Sequence, residues 1–177
     1  MNDFDEFTSL LKIATQAINE RFFNLPVAGQ EESLYRERVY CYELYHQLRT
    51  NWPADLNEYT LSGEIDKSGH HLIDENVIPD LLIHIPGKME GNLVIVEVKP
   101  VNFNREGIKN DLKKLTSFQR EANYDHAIHL TYGSDGNEQI ILEESRMIQK
   151  DNVEEIDLDL IEFWNHDNPG NEAKILK

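Results

Sequence analysis

The sequence predicts an α/β protein with a mixed β-sheet flanked by helices, in a single domain. Three observations carry that expectation. Two runs rich in Val, Ile and Leu, residues 77–85 and 92–98, are separated by Pro86-Gly87-Lys88-Met89-Glu90-Gly91, the pattern of a β-hairpin with a six-residue loop. Apolar residues recur at helical spacing on both sides of that hairpin. A further short apolar run, 127–132, is bounded by Gly133 and Gly136, and 177 residues suit one domain with a sizeable core.

In chain order, Phe4, Phe7, Leu10, Leu11, Ala14 and Ile18 mark an amphipathic helix over 4–21. Residues 22–30, with Pro26 and Gly29, read as a connection. A second helix runs from about 33 to 49, with Ser33 as its cap and Leu34, Cys41, Leu44, Tyr45 and Leu48 as its buried stripe. Trp52-Pro53 ends it. Residues 59–65 are strand-like, and the chain turns near Gly69, His70 and His71. After the hairpin, Ile108, Leu112, Leu115 and Phe118 place a helix over 105–123 with bases between them. Strand 127–132 follows, and the tail offers 139–142 and 158–163 as strands or a helix end.

The composition narrows the function classes. The longest fully apolar run is Leu93 to Val96, too short to cross a bilayer. The acidic start MNDFDEF does not read as a secretory signal. Cys41 is the sole cysteine, so no intrachain disulfide forms. The expected location is the cytoplasm. A net charge of −16 argues at first against nucleic acid as a partner. Its distribution weakens that exclusion. Residues 99–120 carry six bases against two acids, whereas 135–167 carry eleven acids against two bases.

Pairing the hairpin ends across the loop sets Ile85 opposite Asn92, and hence Asp80 opposite Glu97. Directly opposed residues of an antiparallel pair share a face. Lys99, two residues beyond Glu97, shares it too. Two carboxylates and an ammonium therefore converge at one end of an otherwise apolar sheet. Such close carboxylates repel unless a cation bridges them. A hard divalent ion would do so, with Mg²⁺ the usual occupant and Mn²⁺ an alternative.

Pro79-Asp80, sixteen intervening residues and Glu97-Val98-Lys99 resemble the signature of the PD-(D/E)XK nuclease superfamily. "IPDLLIHIPG", "NLVIVEVKP", the basic "DLKKL" helix and "HAIHLTYG" are similar to small bacterial members, over roughly residues 33–132. The resemblance implies a restriction-endonuclease-like fold with an αβββαβ core, leaving the N-terminal helix and an acidic C-terminal extension, 135–177, outside it. It also implies metal-dependent hydrolysis of phosphodiester bonds. Asp80 and Glu97 would hold the metal, with the Val98 carbonyl as a further ligand. Lys99 would orient or help deprotonate the attacking water. A further carboxylate would come from Glu37, on the apolar helix stripe, or Glu64, on the first strand. Arg105, Lys109, Lys113 and Lys114 would meet nucleic acid locally along helix 105–123.

Rival readings accompany each of these. Asp80, Glu97 and Lys99 also suit a plain salt bridge, Glu37 a pair with Arg38, and Asp111 with Lys114 an i,i+3 pair. His126 and His129 are expected to pack, and Cys41 to be an inert core residue. At the level of function, the alternatives are an inactive nuclease-fold module and an acidic regulator that binds protein. A homodimer is also expected as a possibility, with the N-terminal helix as its face.

Overall fold

A computed structural model describes residues 2–64, 78–88, 90–134 and 138–176. One six-stranded sheet runs β1 (Thr60–Gly63), β2 (Leu81–His84), β3 (Asn92–Pro100), β4 (His126–Tyr132), β5 (Ile161–His166) and β6 (Lys174–Ile175), in that spatial order. The β1–β2, β2–β3 and β5–β6 pairs are antiparallel, and β3–β4 and β4–β5 are parallel. Parallel neighbours need a crossover. Helix α4 (Arg105–Ala122) supplies one between β3 and β4, and α5 (Glu138–Asp151) the other between β4 and β5. Helices α1 (Asp3–Gln16), α2 (Glu20–Phe23) and α3 (Glu37–Thr50) precede the sheet. The sheet is thus mixed and flanked by helices, as the sequence predicts.

Strand alternation divides the core in two. Leu81, Ile83, Val94, Val96 and Val98 pack with Phe7, Leu11, Leu44 and Leu48 of α1 and α3. Leu82, Ile95, Ala127 and Phe163 pack instead with Ile108, Leu112, Leu115 and Phe118 of α4 and Ile141 and Ile148 of α5. Covered on both faces, β3 is buried from Asn92 through Val98 and therefore reads as a continuous apolar run.

Several boundaries differ from the sequence expectation, each for a local reason. The helix expected over 4–21 is two. α1 is closed at its start by a capping box between Asn2 and Asp5, and it stops at Ala17; the Asn19 side chain then caps a fresh turn, α2. Ile18 stays buried across the break. The second helix starts at Glu37 rather than Ser33, because Leu25 and Leu34 exchange backbone hydrogen bonds of 2.9 Å in a β-bridge and Arg36 is still extended. β2 is shorter than expected at its start, with Ile78 to Asp80 outside the strand. The expected turn at Gly69, His70 and His71 lies outside the described residues.

The tail departs furthest. Residues 139–142, offered as a strand or a helix end, open α5, whose Ile141 and Ile148 face α4; the second run becomes β5 after a 3₁₀ turn at Leu158–Leu160. The acidic segment is therefore no appendage, since Phe163 and Trp164 are core residues and β5 is a sheet strand. The N-terminal helix is equally integral. Phe7, Leu10, Leu11 and Ala14 of α1 are buried within this chain, so its apolar face is already covered. Among the described residues, no helix is long and apolar enough to cross a membrane.

Gly133, directly after β4, has φ +138°, and a Cβ there would overlap the Val101 methyls and crowd the Tyr35 ring. Gly133→Ala is expected to destabilise the protein by roughly 2–4 kcal/mol, combining backbone strain with overpacking. Urea denaturation checks this. Adding Val101→Ala should relieve the steric part and leave the strain.

Candidate active site

The expected hairpin register is present over three pairs, Leu81↔Val96, Leu82↔Ile95 and Ile83↔Val94. It then shifts, with His84 rather than Ile85 opposite Asn92, because a bulge follows Ile83. The slip lies at the loop end, so it leaves the site end intact. Asp80, one residue before β2, reaches β3 there: its Oδ2 accepts the Val98 amide hydrogen bond at 2.7 Å. Glu97 is only 1% exposed. Asp80 and Glu97 lie close enough to interact at the C-terminal end of β3, where open parallel sheets form their binding crevices, and Lys99 lies two residues further along the strand.

Two residues of α4 complete the cluster. Lys114 Nζ donates to Glu97 Oε2 at 2.7 Å and to the Ile78 carbonyl at 3.0 Å. Asp111, 5% exposed, places Oδ2 3.2 Å from Lys99 Nζ. Lys99 also donates to Glu37 Oε2 at 2.9 Å. Behind Asp111 lies the fully buried His129, its Nε2 at 3.8 Å. Four carboxylates and two ammonium groups thus share the end of β3. Glu97 Oε1 is buried without a hydrogen-bond partner among the described residues.

The electrostatics follow from this crowding. Burial raises the Asp80 carboxyl to about 6; Glu37 and Asp111 add to the rise, while the Val98 amide and Lys114 oppose it. Burial and the neighbouring Asp80 push Glu97 well above the usual carboxylate range, against the pull of Lys114. For Lys99 burial acts downward, but Asp111 and Glu37 outweigh it and hold the ammonium charged. Glu97 does the same for Lys114.

The remaining sequence candidates are placed differently. Glu37 opens α3 and pairs with Lys99 rather than Arg38. Glu64 follows β1 at φ 45° and pairs with Arg38 at 3.2 Å; it flanks the cluster without joining it. It lines a cleft of about 270 Å³ with Cys41, Tyr42, Tyr45 and Asp80, which gives access to Asp80 from the side of α3. Cys41 is 5% exposed, and His126 stacks on Phe4 at 3.5 Å, so both pack as expected.

Most bases of α4 already have carboxylate partners. Lys114 points inward to Glu97, and Asp111 meets Lys99, so the two form no i,i+3 pair. Lys113 pairs with Glu155, Arg105 lies 4.0 Å from Glu144 and 3.6 Å from Asp151, and Arg120 meets Asp157 at 3.1 Å. Lys109 lines a groove between α4 and α5 with Arg105 and Asp151. The acidic tail therefore neutralises much of the basic helix, because the crossover to β5 lays it alongside α4. Asp111 escaped the sequence reading as a site residue, and Lys114, expected as a nucleic-acid contact, is instead a partner of Glu97. A signal existed for Asp111: it lies three residues after Ile108 and four before Leu115, an acid on the apolar stripe.

No protein-family model, curated protein or solved structure matches the chain. Among the described residues, no group of three or more His, Cys, Asp or Glu side chains is arranged to hold a metal ion. Mg²⁺ does not require one: it is commonly held through one or two carboxylates, with waters and substrate phosphates filling the rest. Asp80 and Glu97, whose Oε1 has no hydrogen-bond partner among the described residues, offer carboxylate oxygens of that kind. In donor chemistry these two residues suit the ion.

Proposed function

We propose that this chain is a divalent-metal-dependent phosphodiester hydrolase acting on nucleic acid, with a restriction-endonuclease-like core built from α3, β1, β2, β3, α4 and β4. The observation that carries this reading is the pair of desolvated carboxylates, Asp80 and Glu97, at the end of β3, with Lys99 held on the same strand end by Glu37 and Asp111. Asp80, Glu97 and the Val98 carbonyl would hold Mg²⁺ or Mn²⁺, which when bound polarises a phosphoryl oxygen and acidifies a water. The Val98 amide fixes the Asp80 carboxylate. Lys99, held charged by Glu37 and Asp111, stabilises negative charge developing on the phosphoryl group. Phosphates would approach α4 by exchanging with the carboxylates now paired to Arg105 and Lys113. A chain with one cysteine suits a reducing compartment, and the cytoplasm is the proposed location.

One observation favours a second reading, an inactive module. Lys114 already neutralises Glu97, as a lysine would in a site that has given up its metal. Calorimetry separates the two. Mg²⁺ and Mn²⁺ are expected to bind the wild type and not Asp80→Ala, and Mn²⁺ to support cleavage of single- or double-stranded DNA or RNA that EDTA stops. Absence of both binding and cleavage in the wild type would exclude the enzyme.

A further inference from the structure

Among the described residues, Lys114 is the cation paired with Glu97, and its setting is built rather than incidental. Its side chain is 19% exposed and that of Glu97 2%. Nζ has two acceptors, Glu97 Oε2 and the Ile78 carbonyl, so it ties β3 to the segment that leads into Asp80. Lys99 does not share this task, being held by Glu37 and Asp111. Among the described residues, one ammonium thus faces two buried carboxylates, Asp80 and Glu97, and Glu97 Oε1 has no hydrogen-bond partner.

We infer that Lys114 is an internal counter-ion of the Asp80–Glu97 pair, which a divalent cation must displace on binding. The inference rests on the metal-holding role proposed for that pair. An ammonium and a divalent ion seeking the same carboxylate repel strongly at contact distance in a poorly solvated site. Both also seek oxygen lone pairs of one carboxylate, and a divalent ion balances two carboxylates where the lysine balances one. The lysine keeps the metal-free site folded, and its withdrawal is the cost set against metal affinity. That arrangement disfavours weakly held cations and admits those that bind both carboxylates.

The test measures Mn²⁺ affinity by calorimetry for the wild type, Lys114→Met and Lys114→Arg, with circular dichroism to confirm folding. Lys114→Met is expected to bind about tenfold more tightly or better, since the competing charge is gone, and Lys114→Arg to remain near the wild type. A folded Lys114→Met that binds no more tightly than a binding wild type overturns the inference and leaves the proposed hydrolase standing. If neither binds, the metal-holding role falls and the inference with it. Binding by Lys114→Met alone supports the inference and makes the wild type a locked, inactive module. A second measurement needs no variant. Reductive dimethylation of Lys114, mapped by peptide mass spectrometry, should accelerate severalfold when Mg²⁺ saturates wild-type protein; an unchanged rate in saturated protein overturns the inference.

Discussion

Replacing Asp80 with asparagine is expected to abolish divalent-metal binding and yet, in EDTA, to stabilise the protein by about 2–3 kcal/mol at pH 7. The Asp80 carboxyl rises from its ordinary 3.8 to about 6 on folding, chiefly through burial. The folded chain therefore holds this proton more tightly than the unfolded chain. The associated stability is fully present below about pH 3.8, declines as pH rises, and is lost above about 6. Asparagine stays neutral throughout, and its Oδ1 can still accept from the Val98 amide. Urea denaturation in EDTA should show the variant's advantage growing between pH 4 and 6 and then levelling off. Glu97, raised by burial and by Asp80, works in the same direction, so removing the Asp80 charge also eases Glu97. With saturating Mg²⁺ the order should reverse, because only the wild type gains ligand-linked stability. A variant less stable than wild type in EDTA at pH 7 would show that the Asp80 charge serves the fold rather than a metal.

Lys99→Met should cost about 3–5 kcal/mol of stability, the penalty for leaving a buried charge uncompensated. The vulnerable partner is Asp111, whose side chain is 7% exposed; that of Glu37 is 39% exposed and can turn to water. The two contacts of Lys99 are consequently unequal. Adding Asp111→Asn should restore most of the lost stability, while adding Glu37→Gln should restore little. A double-mutant cycle by chemical denaturation measures the difference. For the proposed hydrolase, Lys99→Met should also lower turnover by about 10²- to 10⁴-fold with metal affinity largely kept. Loss of metal binding equal to that of the Asp80 variants would instead mean that Lys99 only holds the site together.

The hairpin is legible in the sequence because β2 and β3 are short apolar runs around a Pro-Gly loop, and loop length constrains register. The bulge after Ile83 is not legible, since an inserted residue leaves the apolar pattern of so short a strand unchanged. Its position at the loop end is the reason Asp80 still reaches the Val98 amide, next to Glu97. Glu37 is legible as an inward-facing carboxylate from Cys41, Leu44 and Leu48 at i+4, i+7 and i+11. Its partner is not, because Arg38 is its neighbour in sequence and Lys99 its neighbour in space. The tail shows the limit for secondary structure. Residues 139–142 form an apolar run too short for its period to separate strand from helix, and packing of Ile141 and Ile148 on α4 decides for the helix.

What the sequence by itself determined is therefore local: strand and helix periods, turn chemistry, and two carboxylates with a lysine on one face of a hairpin. Those depend on residues a few positions apart. The tertiary structure alone decided which charges meet. Lys114 turns inward to Glu97, Asp111 to Lys99, and Glu155 and Asp157 of the tail settle on Lys113 and Arg120. The physical reason is that charges interact through spatial distance and burial, whereas the pattern along a chain records only neighbours. Packing of α3 and α4 against the end of β3 brings together groups that the sequence keeps 12 to 62 positions apart, among them Lys99 with Asp111 and Glu37 with Lys99.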